Sequence, residues 1–313
     1  MRALFIANPQ ATTTTTRARD VILRAMASEF SLDVRQTQYR EHAKELARQA
    51  AEEGYELVIS LGGDGTVNEV VNGILTTPSH LPQPAYAALP GGSANVFIRA
   101  LGLPSDPVEA TGAVLEALRT GARRTVGLGR VSGPDDDGRY FTFCAGFGWD
   151  AEVVREVERR RHHGHRASPG MYMSVALNLF YKGDRVRDPS LTVHLPDRDP
   201  VRGLHAMLVT NTTPWTYAGA FPVQPTPRSR FHLGLDAFAL THVDTLTTAR
   251  LVGQMLSPRG VPEQGLGHLS WHDQPRFVVE CEHPRAFQID GEYLGERKQI
   301  DFCSIPKALR VVY

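Results

Sequence analysis

Apolar positions in the first third of the chain come in short unbroken runs, separated by segments with helical spacing. Ala3–Ala7, Leu32–Thr37, the run ending at Val58, Ile59 and Leu61, and Ala85–Leu89 read as strands of a largely buried sheet. Between them apolar residues recur three and four apart, at Val21, Ile22, Ala25, Met26 and Phe30, then at Ala43, Leu46, Ala47 and Ala50. Val67, Val70, Val71, Ile74 and Leu75 continue the same spacing, and Asp106-Pro107 caps one more helix on Val108, Ala110, Val114, Leu115 and Leu118. The alternation predicts an α/β N-terminal domain with an open parallel sheet over residues 1–125.

From Val126 the texture changes to short β-rich runs: Val126–Val131, Tyr140–Ala145, Leu191–Leu195, Leu204–Thr210, Leu235–Leu240, Arg276–Glu282 and Ala286–Asp290. These predict a β-rich, antiparallel, sandwich-like C-terminal domain over residues 126–313, with the C-terminal tail open to packing back on the first domain. Two helices interrupt the strands, one opened by Asp150-Ala151-Glu152-Val153-Val154 and one carried by Met171, Val175, Leu177, Leu179 and Phe180. Pro134-Asp135-Asp136-Asp137-Gly138 has hairpin-turn chemistry, and its three carboxylates read as a solvated tip, not a metal site.

Composition narrows the class. The 313 residues are 42% hydrophobic and 22% charged, which allows a sizeable core. Thirty-four basic and 34 acidic residues cancel, so no global field draws the chain to nucleic acid or to a membrane, and only local patches could do so. Cys144, Cys281 and Cys303 lack metal-ligand spacing and read as reduced core residues. The apolar run in Met1–Pro9 is too short for a signal peptide, and no apolar stretch reaches the roughly 20 residues that span a bilayer. A cytoplasmic protein is the expectation.

Candidate chemistry begins at Leu61-Gly62-Gly63-Asp64-Gly65-Thr66-Val67-Asn68-Glu69, where a strand feeds glycines into a helix start. Such a turn lets backbone amides approach a phosphate at the positive end of the helix. The alternative, a tight strand-to-helix connection, leaves Asp64 unexplained, because a carboxylate in an anion cradle calls for a metal or a proton-transfer task. Pro90-Gly91-Gly92-Ser93-Ala94-Asn95 repeats the plan with a hydroxyl, and Asp290-Gly291-Glu292 sets two carboxylates around a glycine after a late strand. Arg155, Arg159, Arg160, Arg161, His162, His163, His165 and Arg166 form a basic cluster, read either as a solvated helix end or as a surface attracting anionic lipid. Zinc on His162, His163 and His165 would lack a cysteine or carboxylate partner nearby.

In order and spacing, the Gly-Gly-Asp-Gly-Thr loop, the Ser93 turn, Gly146-Phe147-Gly148-Trp149-Asp150, the Asn211–Phe221 loop and Asp290-Gly291-Glu292 resemble the diacylglycerol kinase catalytic family, lipid kinases related to the sphingosine kinases. The resemblance implies an ATP-dependent lipid kinase, with diacylglycerol the expected acceptor, magnesium as cofactor and an active site in the interdomain cleft. It places nucleotide contacts at Asn8, Thr37, Gly62, Gly63, Asp64, Gly65, Thr66, Asn68, Glu69, Gly92, Ser93 and Asn95, with Asp64 meeting magnesium. Glu292 would be the catalytic carboxylate with Asp290 as helper, alongside Asp64. Trp215 and Tyr217 would lie near the lipid, and Arg159, Arg160 and Arg161 would face the inner membrane surface, making the enzyme peripheral there. No nucleic-acid partner is expected, and a homodimer stays open. Three places along the chain depart from the family pattern. Ala11-Thr12 replaces a small residue and glycine, Val96 replaces an aspartate, and His232 replaces the aspartate of a structural magnesium site, which is therefore not expected here. An NAD kinase and a non-catalytic nucleotide-binding protein are the alternatives.

Overall fold

The computed structural model describes residues 1–313 apart from Gln10, Thr12, Thr13, Ser79, residues 135–137 and residues 164–167, and apart from the side chains of His162, Pro169, Asp184 and Arg185. The readings of Thr12 and Thr13, of Asp135, Asp136 and Asp137, and of His165 and Arg166 lie outside the described residues. The chain divides into two compact units, Met1–Gly127 with Lys307–Tyr313, and Leu128–Pro306.

The first unit alternates β1 (Arg2–Ala7), α1 (Thr16–Ala27), β2 (Ser31–Gln36), α2 (His42–Glu52), β3 (Leu57–Gly62), α3 (Asp64–Leu75), β4 (Ala85–Pro90), α4 (Val96–Ala100) and α5 (Pro107–Arg119). Its strands pair in parallel in the order β4-β3-β1-β2. β3 and β4 are buried at every position and β1 at all but its first, as expected for strands with helices on both faces. β2 forms the edge and is correspondingly exposed. α1 packs with α5, and α2 packs with α3. The second pair crosses at Gly73, where a Cβ would run into the Lys44 carbonyl and come within 2.8 Å of the Ala47 Cβ. Caps follow local chemistry: the Thr15 hydroxyl accepts from the Ala18 amide, and Asp106 accepts from the Val108 and Glu109 amides.

After β5 (Arg124–Ser132), the second unit runs through β6 (Arg139–Phe141), β7 (Cys144–Phe147), α6 (Trp149–His162), α7 (Pro169–Lys182), β8 (Leu191–His194), β9 (Val201–Leu204) and β10 (Ala206–Thr210). It continues with β11 (Thr216–Ala218), β12 (Phe221–Val223), β13 (Leu235–Leu240), α8 (Thr245–Met255), β14 (Gln264–Gly265), β15 (His268–Gln274), β16 (Arg276–Ile289) and β17 (Glu292–Val311). The main sheet has the order β14-β15-β13-β10-β7-β16-β17 with antiparallel neighbours. β10 and β13 read as continuous apolar runs because both faces of this sheet are covered. Met207, Val209, Ala237 and Ala239 enter one core with Phe147, Phe287 and Phe302. Ala206, Leu208, Phe238 and Leu240 enter a second core with Leu251 of α8 and Val261.

Four sequence expectations need correction. Tyr140–Ala145 is two strands, because the amides of Thr142, Phe143 and Cys144 turn to the Asp290 carboxylate instead of a ladder. Leu204–Thr210 is likewise divided at His205, whose amide donates to the Leu240 carbonyl. Arg276–Glu282 and Ala286–Ile289 are parts of one strand, β16, whose register shifts between Glu280 and Arg285, and Asp290 lies beyond its end. Finally, a third helix, α8, joins the two expected in this unit, opened by the Asp244 carboxylate on the Thr247 amide. The Asn211–Phe221 loop is also more ordered than its composition suggests, since β11 and β12 pair as a two-stranded ribbon across Gly219, which has φ 66°.

Candidate functional site

In the first unit the two glycine turns lie backbone against backbone. The Gly91 amide donates to the Gly62 carbonyl at 2.8 Å. A Cβ on Gly92 would sit 2.6 Å from the Gly63 Cα, and one on Gly91 would sit 2.9 Å from the Gly62 Cα. Only residues without side chains permit this approach, so the glycines are required by the contact between the turns. Gly63 is the N-cap of the twelve-residue α3 and, having no side chain, caps none of its first amides. Gly65 is exposed beside it.

The polar residues around the turns have distinct duties. The Asn8 side-chain amide donates to the Thr66 hydroxyl at 3.1 Å, and the Asn8 backbone amide donates to the Leu61 carbonyl at 3.0 Å. The Thr66 side chain in turn covers Gly62, where a Cβ would meet it at 2.6 Å. Asp64 is half-buried in the first turn of α3, and its Oδ1 accepts from the Phe97 amide at 3.3 Å, which joins the first turn to the start of α4. Ser93 is exposed at the crest of the second turn. Thr37 stands half-buried at the end of β2, its amide donating to the Ala7 carbonyl.

Three residues expected at the nucleotide carry hydrogen bonds within the fold. Asn68 is 1% exposed, and its Oδ1 accepts from the Asn72 side chain. Glu69 spends both carboxylate oxygens on the start of α2, accepting from the Glu41 amide at 3.0 Å and the Ala43 amide at 3.1 Å. Asn95, at φ 48°, closes the second turn on itself, accepting from the Gly92 amide at 2.9 Å and donating to the Gly92 carbonyl at 2.7 Å. These side chains brace the two turns and the start of α2.

In the second unit β16 and β17 form a hairpin with Ile289 opposite Glu292, so Asp290-Gly291 is a two-residue loop. Both loop residues have positive φ, 48° and 79°, the geometry for which an Asp-Gly pair is suited. The Asp290 carboxylate is 5% exposed and takes four hydrogen bonds, from the Thr142 amide (2.7 Å), the Thr142 hydroxyl (2.9 Å), and the amides of Phe143 (3.0 Å) and Cys144 (3.1 Å). Asp290 therefore acts as an anchor, a duty the helper role did not anticipate. Glu292 projects from the start of β17 and pairs with Arg139 of β6 at 2.5 Å, both side chains less than one-fifth exposed. Next to it, the Tyr293 amide donates to Glu158 of α6 at 3.0 Å.

A residue that sequence reasoning left out completes this hairpin. The Gln288 side chain accepts from the Gly291 amide at 2.9 Å and donates to the Asp150 carboxylate at 2.6 Å, so α6 grips the loop through one amide side chain. Burial pushes the Asp150 carboxyl up to about 6, opposed by the Gln288 bond. Burial also pushes the Cys144 thiol well up, helped by the Asp290 and Asp150 carboxylates. The signal for Gln288 was faint: an amide side chain directly before the Asp290-Gly291 turn can reach the turn's own backbone.

The remaining expected residues are spread over the second unit. Trp215 is half-buried against the core of Leu208, Phe238 and Leu251, and Tyr217 is half-buried on β11. Arg159 and Arg160 both bind Glu156, at 2.7 to 2.9 Å, while Arg161 is exposed. His232 is exposed, and Asp236 beyond it enters β13 and accepts from His272 Nδ1 at 2.8 Å.

Comparison with known proteins follows the same lines. The family model described as the diacylglycerol kinase catalytic domain matches residues 2–131. "Probable lipid kinase YegS-like" from Chromohalobacter salexigens is 32% identical over 277 residues, covering 88% of this chain and 81% of that protein. The diacylglycerol kinase of Bacillus subtilis is 36% identical over 116 residues, 37% of this chain and 34% of that one. A crystal structure of a diacylglycerol kinase from Bacillus anthracis shares the fold, with a TM-score of 0.72 at 17% identity over 100% of this chain and 96% of that chain. With a relative this similar along most of both sequences, the chain belongs to the diacylglycerol kinase catalytic-domain family of lipid kinases.

Proposed function

We propose that the protein transfers the γ-phosphoryl group of ATP to the hydroxyl of diacylglycerol or a related single-hydroxyl lipid. The observation that carries this reading is the pair of glycine turns in backbone contact at the uncapped start of α3, with a carboxylate, Asp64, set between them. A triphosphate suits the amides and the helix end, and Asp64 suits the magnesium that travels with it, since that ion favours hard oxygen donors. Bound there, magnesium would supply neutralisation of phosphate charge. Gly62, Gly63, Gly65 and Thr66 would hold phosphates, Ser93 would contact the nucleotide, and the Asn8 bond would fix Thr66.

Glu292 supplies the base in this scheme. The lipid hydroxyl oxygen attacks the γ-phosphorus, the bond from that phosphorus to the bridging oxygen breaks, ADP departs and the hydroxyl proton passes to the Glu292 carboxylate. Arg139 holds that carboxylate before the lipid arrives, and the Asp290 anchor and Gln288 keep the hairpin in place. Because the acceptor is a membrane lipid, the enzyme works at the bilayer surface; no helix among the described residues is long and apolar enough to cross a membrane.

The test offers radiolabelled ATP to the full chain with diacylglycerol, sphingosine or NAD and identifies the labelled product. Label in phosphatidic acid supports the proposal, whereas label only in NADP, or in no product, overturns it. Asp64→Asn and Glu292→Gln should each lower kcat by at least about 100-fold while the protein stays folded, and wild-type turnover in either variant would remove that residue from the scheme.

A further inference from the structure

The fourteen-residue helix α7, Pro-Gly-Met-Tyr-Met-Ser-Val-Ala-Leu-Asn-Leu-Phe-Tyr-Lys, carries a single charged residue, Lys182 at its end. Its inner side is accounted for. Val175 is buried and packs with Met171 and Leu179 against Val153 and Val157 of α6, and the Trp149 indole donates to the Ala176 carbonyl at 3.3 Å. Its outer side is not. Met173, Leu177 and Tyr181 are 52%, 50% and 57% exposed and stand four residues apart, so they form one line along the helix. Ser174 and Asn178, also exposed, flank that line without charge. A helix that meets only water normally has lysine and glutamate on its outer face, and one apolar all round is covered by something.

Charge beside the helix indicates what covers it. Met171, in the first turn of α7, shares a groove with Arg159, Arg160 and His163 at the end of α6. Among the described residues Glu156 answers both Arg159 and Arg160, and Arg161 is exposed, so this end of the pair is basic. An apolar line on α7 with the α6 guanidinium groups near one end and Lys182 at the other joins the two attractions, apolar and cationic, that a membrane surface offers. We infer that the outer face of α7 is the membrane-docking surface of this protein, with Met173, Leu177 and Tyr181 entering the acyl boundary and the end of α6 meeting anionic headgroups. The inference deepens the lipid-kinase reading and rests on it for the choice of a bilayer as occupant; a second copy of this chain, whose α6 end would be equally basic, is disfavoured by like charge.

The test compares the wild type with Met173→Gln/Leu177→Gln/Tyr181→Gln, a triple variant that keeps good helix formers and touches no residue assigned to phosphoryl transfer. Sedimentation with vesicles of phosphatidylcholine and phosphatidylglycerol is expected to weaken at least about 10-fold, a loss of about 1.4 kcal/mol in binding free energy, while phosphorylation of a water-soluble short-chain diacylglycerol is unchanged. Equal sedimentation of the two proteins overturns the docking surface. So does a wild type that sediments at equilibrium as a dimer and a variant that is monomeric, with vesicle binding the same in both. Vesicle binding that depends on α7 without phosphorylation of any lipid would sink the kinase proposal and leave the docking surface standing; phosphorylation with α7-independent binding does the reverse.

Discussion

Two carboxylates one residue apart in the β16–β17 hairpin have been given different work by their surroundings. Asp290 is buried among donors that include the Thr142 hydroxyl and the amides of Thr142, Phe143 and Cys144, whereas Glu292 pairs with Arg139. Asp290→Asn preserves shape and tolerates φ 48°, but its amide nitrogen must face N–H groups that it cannot accept from. Urea unfolding should show a loss of about 2–4 kcal/mol. Glu292→Gln keeps an acceptor for Arg139 and should lose less than Asp290→Asn does. Equal losses in the two variants would contradict the division of labour.

Asp150 adds a pH dependence whose sign follows from its raised carboxyl. Between its ordinary 3.8 and about 6 the folded protein binds more protons at this site than the unfolded chain, so stability falls as pH rises through that window and levels off above it. The full shift corresponds to roughly 3 kcal/mol at most. Asp150→Asn keeps an oxygen for the Gln288 amide and cannot ionise. Unfolding free energies measured from pH 4 to pH 7 should therefore decline less in the variant than in the wild type, and parallel curves would show that Asp150 is not the group responsible.

At the scale of elements, what could be read in advance was what depends on near neighbours in the chain. The strands of the first unit announce themselves as apolar runs, and both glycine turns stand where strand gives way to helix. Illegible features depend on distant partners. Nothing within Tyr140–Ala145 says that a carboxylate 148 positions from Thr142 will take its amide and divide the strand. Nothing in the loop around Glu69 says that its carboxylate will also receive the amides of Glu41 and Ala43 at the start of α2. Helix α8 is a different kind of miss, because Asp244 ahead of Leu251 and its neighbours was an available signal.

The α2–α3 contact yields a prediction at this scale. Alanine in place of a mid-helix glycine is ordinarily worth about 1 kcal/mol in favour of the helix. At Gly73 the added methyl would meet the Lys44 carbonyl, and neither helix backbone can give way cheaply. Overpacking costs about 1–3 kcal/mol, so the steric term should win and Gly73→Ala should lower the melting temperature. Displacing α2 also pulls against the Glu69 bonds to its first turn, so ATP binding measured by calorimetry should weaken in the same variant.

At the scale of the molecule, overall charge neutrality was informative and incomplete. It removes any long-range field, yet the basic end of α6 beside an uncharged face of α7 is a local asymmetry that a sum over 313 residues conceals. The division into two units was also only partly visible from composition, since the change of texture near Val126 marks one boundary and nothing comparable marks the second at Lys307. There the backbone adopts φ 51° within β17, and the residues beyond it join the first unit, where Val311 pairs with Tyr86 of β4 and the Val312 amide donates to the Tyr86 carbonyl.

That late return governs the order in which the protein can finish itself. A ribosome delivers β1 to β4 early, but the strand that flanks β4 on its open side arrives only after the whole of Leu128–Pro306 has been translated, on the order of ten seconds or more at ordinary elongation rates. Throughout that wait the nascent sheet offers a bare row of amides and carbonyls to any passing strand, and it is the segment from Lys307 onward that closes it.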